Sequence, residues 1–139
     1  CTRLDDAMCI AAMYRCWARM LYRLRRDNMK WRRYSPMLIS ENRWRAHRYG
    51  IDEGLLDFGR GEIVRYQDLF SEMCELLNED IQFFDCAAEI NRGMTIISEG
   101  TSAHRQLKCY ENALEKGLSS SDSLKQVVDM LLSDTLEGL

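Results

Sequence analysis

Asn42, Arg43, Arg45 and Arg48 crowd the stretch between Glu41 and Gly50. Each guanidinium is a fixed cation with five N–H donors, and the amide both donates and accepts. Such a group suits an anion, above all a phosphate or a carboxylate. On a helical wheel at about 100° per residue, Leu38, Ile39, Ala46 and Tyr49 fall together, with Asn42 in their midst. A polar amide centred on an apolar face must find hydrogen-bond partners or destabilise the fold. A neighbouring backbone and a bound ligand would each serve, and spacing leaves both open. Arg43 and Arg45 border the apolar face from opposite edges, so both could reach a cleft beside it. Arg45 and Arg48 flank Glu41 and offer ordinary surface ion pairs, Arg48 above all.

Other chemistry finds little support. His47 and His104 are the two histidines, without the Cys/His spacing of a zinc site; each reads as a surface or capping residue. No Gly-x-Ser-x-Gly accompanies a serine nucleophile, and Glu89 and Glu99 have no partner for acid–base work. Gly59-Arg60-Gly61 opens a strand, whereas a phosphate loop opens a helix. The six cysteines (1, 9, 16, 74, 86 and 109) form no Cys-x-x-Cys unit and mostly occupy apolar helical positions. They read as small core residues in a reducing cytoplasm, not as a disulfide framework or thiolate metal site.

The elements that must position these residues belong to one domain spanning the 139 residues. Hydrophobic residues make up 46% and charged residues 29%, so one core can be built. No stretch is long and apolar enough to span a bilayer. The polar start, Cys1 to Asp6, does not read as a signal peptide; beginning at Cys1, the chain reads as a fragment or a processed product. Residues 1–50 hold twelve Lys/Arg against four Asp/Glu, a formal +8, whereas residues 51–139 carry −11. The basic half suggests an anionic partner, and the acidic half argues against general coating of nucleic acid.

Thr2 and Asp5 suggest a cap opening a helix that runs to about Arg26. Ile10, Met13, Tyr14, Trp17, Met20, Leu21 and Leu24 would form its apolar face. Leu4, Ala7, Met8, Ala11 and Ala18 line the other side, so its first half should be buried on several sides. Arg15, Arg19, Arg23 and Arg26 form a stripe that reads as a solvated face. Ser35-Pro36 opens a second helix ending near Tyr49 at Gly50. Residues 56–58 and 62–64 read as a hairpin around Gly59-Arg60-Gly61. Helices follow over 66–77, 87–99 and from Thr101 to Lys116, with a short apolar turn at Ile81–Phe84. The last helix follows Ser119-Ser120-Ser121 and presents Leu124, Val127, Val128, Leu131 and Leu132. The fold class expected is mainly α, a helical bundle with one short β-hairpin.

Four blocks carry a resemblance. They are Cys1-Thr2-Arg3-Leu4-Asp5-Asp6, Leu38 to Ala46 with Arg48-Tyr49-Gly50, Leu56-Asp57-Phe58-Gly59, and Glu99 to Leu107. In this order they resemble the carboxylate–amine ligases related to type 2 glutamate–cysteine ligase. The resemblance implies an ATP-dependent enzyme of the glutamine-synthetase-like superfamily. Such an enzyme phosphorylates a carboxylate, typically the γ-carboxylate of glutamate, and an amine such as that of cysteine attacks the acyl phosphate. It implies Mg²⁺ and ATP as cofactors and amino acids as small-molecule partners, with homo-oligomers left open. Arg43 and Arg45 would be catalytic, and Asn42, Arg48 and Arg105 would bind substrate or ATP. Arg105 falls at a helix start, which favours an anion. In this family the sheet bearing the Mg²⁺-binding glutamates lies upstream. The chain thus resembles the C-terminal helical part of an α+β ligase, inactive by itself, with metal ligands expected upstream of Cys1.

Two other readings compete. A stand-alone helical interaction or regulatory module would dock through apolar surface on the first helix. Nucleic-acid binding through Arg15 to Arg48 has no recognisable motif behind it.

Overall fold

A computed structural model describes residues 3–31 and 33–136; the cap expected at Thr2 lies outside them. The described residues form helices α1 (Leu4–Arg26) and α2 (Pro36–Tyr49), strands β1 (Leu55–Leu56) and β2 (Ile63–Val64), then α3 (Tyr66–Leu76), α4 (Asn78–Phe84), α5 (Ala87–Glu99), α6 (Ser102–Glu115) and α7 (Ser120–Leu136). The mainly α class with one hairpin is as expected. Ser35 caps α2, its Oγ accepting the Met37 N–H at 3.3 Å, and Pro36 opens the helix. The α2 end is Gly50, whose φ of +59° disfavours a side chain.

The strands pair antiparallel, Leu55 with Val64 and Leu56 with Ile63. They are shorter than residues 56–58 and 62–64 suggested, because Asp57 starts the turn. Its Oδ1 accepts the amides of Gly59 (2.6 Å) and Arg60 (2.9 Å), which bends the chain away from the ladder. Those amide bonds, Arg60's first, hold the Asp57 carboxyl below its ordinary value. The turn expected at Ile81–Phe84 is part of the full helix α4.

Helix α1 packs along α5 and α4, while α6 and α7 pair with each other. The core gathers Ala12, Cys16 and Met20 of α1 with Phe70, Leu77, Ile81, Cys86 and Ile90. The thiols of Cys16 and Cys86 lie 3.6 Å apart within it. Burial, then the Cys86 hydrogen bond, pushes the Cys16 thiol up to about 12, which suits a core residue and not a nucleophile. Gly93 continues through the middle of α5 because Phe70 packs against its backbone, and a Cβ there would collide with the ring.

Two expectations about helix faces need correction. The first half of α1 is not buried on several sides. Its buried line is Asp6, Cys9, Ala12, Cys16 and Met20, whereas Leu4, Met8, Ile10, Tyr14 and Leu21 are exposed. Neighbours cover one side only, so apolar character alone could not say which side. In α7, Ser123, Val127 and Asp134 are buried, while Leu124, Val128 and Leu132 face outward.

The arginine stripe of α1 is a solvated face only in part: Arg15 and Arg26 are exposed as expected, but Arg19 and Arg23 are not. Arg19 and Arg23 close on Asp80 of α4, which is 0% exposed. Arg19 Nη1 donates to Oδ1 at 2.6 Å, and Arg23 donates from Nε to Oδ1 (3.1 Å) and from Nη2 to Oδ2 (2.7 Å). Arg15 and Arg19 also stack on the Phe84 and Phe83 rings. A second network links α1 with α5, α6 and α7. Arg92 of α5 donates to Asp6 of α1 at 2.8 Å, Arg105 of α6 lies 3.8 Å from Asp6 and 3.2 Å from Asp134 of α7, and Arg3 lies 3.3 Å from Asp134.

Burial raises the Asp80 carboxyl, but the two arginines' hydrogen bonds and charges outweigh it and hold it below its usual 3.8. A carboxylate with a depressed folded value stabilises the fold above the unfolded value. That contribution disappears as pH falls through the folded value. Asp80→Ala is therefore expected to cost about 3 kcal/mol at neutral pH and to reduce the loss of stability below pH ~4. Urea unfolding across pH 2–7 (roughly the carboxylate range) checks both.

Candidate functional site

The hairpin is held against α2 by the face that Asn42 centres. Asn42 Nδ2 donates to the Leu56 carbonyl at 2.8 Å, and its Oδ1 accepts the Leu56 N–H at 2.7 Å. The amide thus takes the backbone alternative, making two bonds to one residue of β1. Arg45 points to the same loop. Its Nε donates to the Gly54 carbonyl (3.3 Å), and its Nη2 lies 3.5 Å from both the Glu53 carbonyl and the Glu53 carboxylate. The side chain is 11% exposed, and its guanidinium lies 5.6 Å from the Tyr49 ring centre. Glu53 has replaced Glu41 as its carboxylate, because the loop curls back onto the helix.

Arg43 and Arg48 are different. Both are exposed, and neither makes a hydrogen bond or ion pair with another described residue. The surface pair expected between Glu41 and Arg48 is not formed. The fold therefore brings Asn42 and Arg45 together at the hairpin and leaves Arg43 and Arg48 on the solvent side of α2. Arg105 does not join them; its guanidinium is turned to Asp134 and Asp6, and the anion near that helix start is the protein's own.

Two residues given no chemical role complete the neighbourhood. His104 Nδ1 accepts the Thr101 N–H at 3.2 Å and lies 2.8 Å from Thr101 Oγ1. A nitrogen that accepts an amide is unprotonated, so Nε2 carries the proton and donates to Asp52 Oδ1 at 3.3 Å. His104 thus caps α6 as expected and also ties it to the loop after α2. The capping half is visible as Thr-x-x-His spacing. Asp52, distant along the chain, gives no such signal. Elsewhere, a cavity of about 460 Å³ between α1 and α5 is lined by Asp5, Glu89, Asn91 and Arg92. Glu89 Oε2 is buried there without a hydrogen-bond partner.

Chemically, the α2 surface offers two exposed guanidiniums to an anion from a helix fixed by the hairpin. Removing the fixing bonds should be measurable. Asn42→Ala is expected to cost about 1–3 kcal/mol, because the Leu56 backbone loses both partners. Asn42→Asp, which keeps the acceptor and loses the donor, should fall between it and the unchanged chain in urea unfolding.

No family model matches the chain, and no solved structure matches it. Curated proteins do. One from Rhodospirillum rubrum is 52% identical over 139 residues, which is 100% of this chain and 36% of that protein. A Jannaschia protein is 42% identical over 132 residues, 95% of this chain and 35% of its own length. A Sorangium cellulosum protein is 40% identical over 138 residues, 99% and 35% respectively. All three are named "Putative glutamate--cysteine ligase 2". The chain spans about a third of the length of these relatives. Identity of this extent along the whole chain assigns it plainly: it belongs to this glutamate–cysteine-ligase-like family and corresponds to its C-terminal portion.

Proposed function

We propose that the chain is the C-terminal part of an ATP-dependent carboxylate–amine ligase that joins glutamate to cysteine through an acyl phosphate. The observation that carries this reading is the similarity of all 139 residues to proteins bearing that ligase name. The α2 surface supports it. Arg43 and Arg48 are exposed cations without an internal partner, and this fits a phosphate or carboxylate. In this reading Arg43 faces the transferring phosphoryl group and stabilises its developing charge. Arg48 contributes to anion binding, while Arg45 and Asn42 keep the loop and hairpin in register with α2. Arg105 acts at one remove, through its carboxylate network.

Mg²⁺ would neutralise phosphate charge in such an enzyme. Among the described residues no group of three or more His, Cys, Asp and Glu could hold it. Its ligands are proposed to lie in the part of the relatives' length that this chain does not span. The five described cysteines are free, which accords with the proposed cytoplasmic setting. No helix among the described residues is long and apolar enough to cross a membrane.

The test is amide formation from glutamate and cysteine by the longer enzyme, with ATP consumption followed in parallel. Arg43→Ala is expected to lower kcat/KM by about a hundredfold or more, and the 139-residue chain alone to form no amide. Unchanged turnover in Arg43→Ala would refute the role given to that residue.

A second reading has its own observation. Leu4, Met8, Ile10 and Tyr14 on α1, and Leu124, Val128, Leu132 and Leu136 on α7, are exposed. Apolar lines of this kind suit an interaction module. They equally suit contact with the remainder of a longer enzyme, so they do not displace the ligase reading.

A further inference from the structure

Two cysteines of the core face each other across the packing of α1. Cys16 lies in the middle of that helix and is 0% exposed. Cys86 stands between α4 and α5, 70 residues further on, and its thiol meets that of Cys16 at 3.6 Å. Among the described cysteines this is the one pair that shares a hydrogen bond. The Cys9 thiol turns instead to the Ile90 carbonyl at 3.8 Å.

A disulfide needs its sulfurs at about 2.05 Å, so the pair is roughly 1.5 Å short of bonding distance. The chain around Cys86 leaves room for that approach. Asp85, just before it, has a φ of +50°, and Cys86 itself has φ −117° and ψ 29°, outside the helix. Cys86 is therefore not gripped by helical turns on both sides, as Cys16 is. The two thiols also differ in access. Cys86, the residue that opens α5, keeps 8% of its surface exposed, whereas Cys16 is sealed. Oxidation by peroxide follows thiolate character and exposure. Burial, with the Cys86 contact behind it, keeps the proton on Cys16. Access and protonation thus both make Cys86 the first sulfur to react.

We propose that Cys16 and Cys86 are an oxidisable thiol pair, and that a small peroxide joins them in a disulfide that fastens α1 to the α4–α5 junction. Hydrogen peroxide transfers one oxygen to the Cys86 sulfur, giving a sulfenic acid and one water. The Cys16 sulfur then displaces the sulfenic hydroxyl, and its proton leaves with that hydroxyl as a second water. In all, two thiols lose two electrons and two protons, and the peroxide is reduced to two waters. Contact between the sulfurs supplies the proximity that offsets the weak nucleophilicity of a protonated, buried thiol. In the reduced chain the pair is an ordinary core contact; once linked, it closes a loop of 70 residues and restricts the unfolded chain. No residue of the α2 surface enters this chemistry, so it stands apart from the ligase reading.

The experiment treats the folded 139-residue chain with hydrogen peroxide, blocks the remaining thiols with iodoacetamide and digests without reductant. A Cys16–Cys86 linked peptide is expected by mass spectrometry, about 2 Da lighter than its two halves together, and dithiothreitol should separate it. Dimedone, which traps sulfenic acids, should label Cys86 in Cys16→Ala and leave Cys16 unlabelled in Cys86→Ala. The linked chain should reach its urea midpoint roughly 1 M or more above the reduced chain. Absence of the linked peptide, or linkage of either cysteine to any other in similar yield, overturns the pair. Dimedone on Cys16 overturns the order of steps, and an unchanged or lower midpoint overturns the fastening. The linked peptide is read in the unsubstituted chain, so the pair is tested even where an alanine variant does not fold.

Discussion

Three buried aspartates, Asp6, Asp80 and Asp134, hold this fold together by the arginines they oblige to come inward. A carboxylate removed from water is tolerated only where cations and hydrogen bonds replace the solvent. Asp80 draws Arg19 and Arg23 of α1 onto α4. Asp6 and Asp134 thread Arg92, Arg105 and Arg3 into one alternating line that joins α5, α1, α6 and α7. The apolar core lies mostly under α1, α3, α4 and α5. The attachment of the α6–α7 pair therefore depends heavily on this line of charge.

The same constraint sorts the arginines by role. The basic first half of the chain first suggests an external anion, but several of its cations are matched by acidic residues from the second half. Arg3, Arg19, Arg23 and Arg45 all find carboxylates after residue 50. Arg43 and Arg48 on α2 remain without such partners among the described residues. Functional significance attaches to a cation that the fold does not use, and this division is what turns a general positive charge into one specific surface.

Local chemistry was legible in the sequence, and distant pairing was not. Ser35-Pro36 and Gly50 marked the ends of α2 because caps and breakers act within a few residues. Thr101 announced α6 for the same reason. The hairpin was placed correctly but drawn too long, because the Asx turn at Asp57 competes with the ladder. The burial side of α1 was read in part: Met13, Trp17, Met20 and Leu24 pack on the core as expected, but small residues (Cys9, Ala12 and Cys16) carry the rest of the packed face while Ile10, Tyr14 and Leu21 face outward. Asp80, with no pattern to distinguish it from any other helix-start acid, hid the fate of the Arg15–Arg26 stripe. At the candidate site, the position of Asn42 on the apolar face was readable from the helical period. Its partner at Leu56 and the link from His104 to Asp52 depend on how the loop folds back, which no spacing reveals.

The central claim is that the fold consumes one set of arginines and leaves another free. Unfolding free energies of four single variants, Arg23→Ala, Arg105→Ala, Arg43→Ala and Arg48→Ala, measure it directly under one buffer condition. The account predicts losses of about 2 kcal/mol or more for Arg23 and Arg105, whose removal leaves a buried carboxylate short of partners. It predicts changes within about 0.5 kcal/mol for Arg43 and Arg48. Losses at Arg43 or Arg48 equal to that at Arg105 would contradict it.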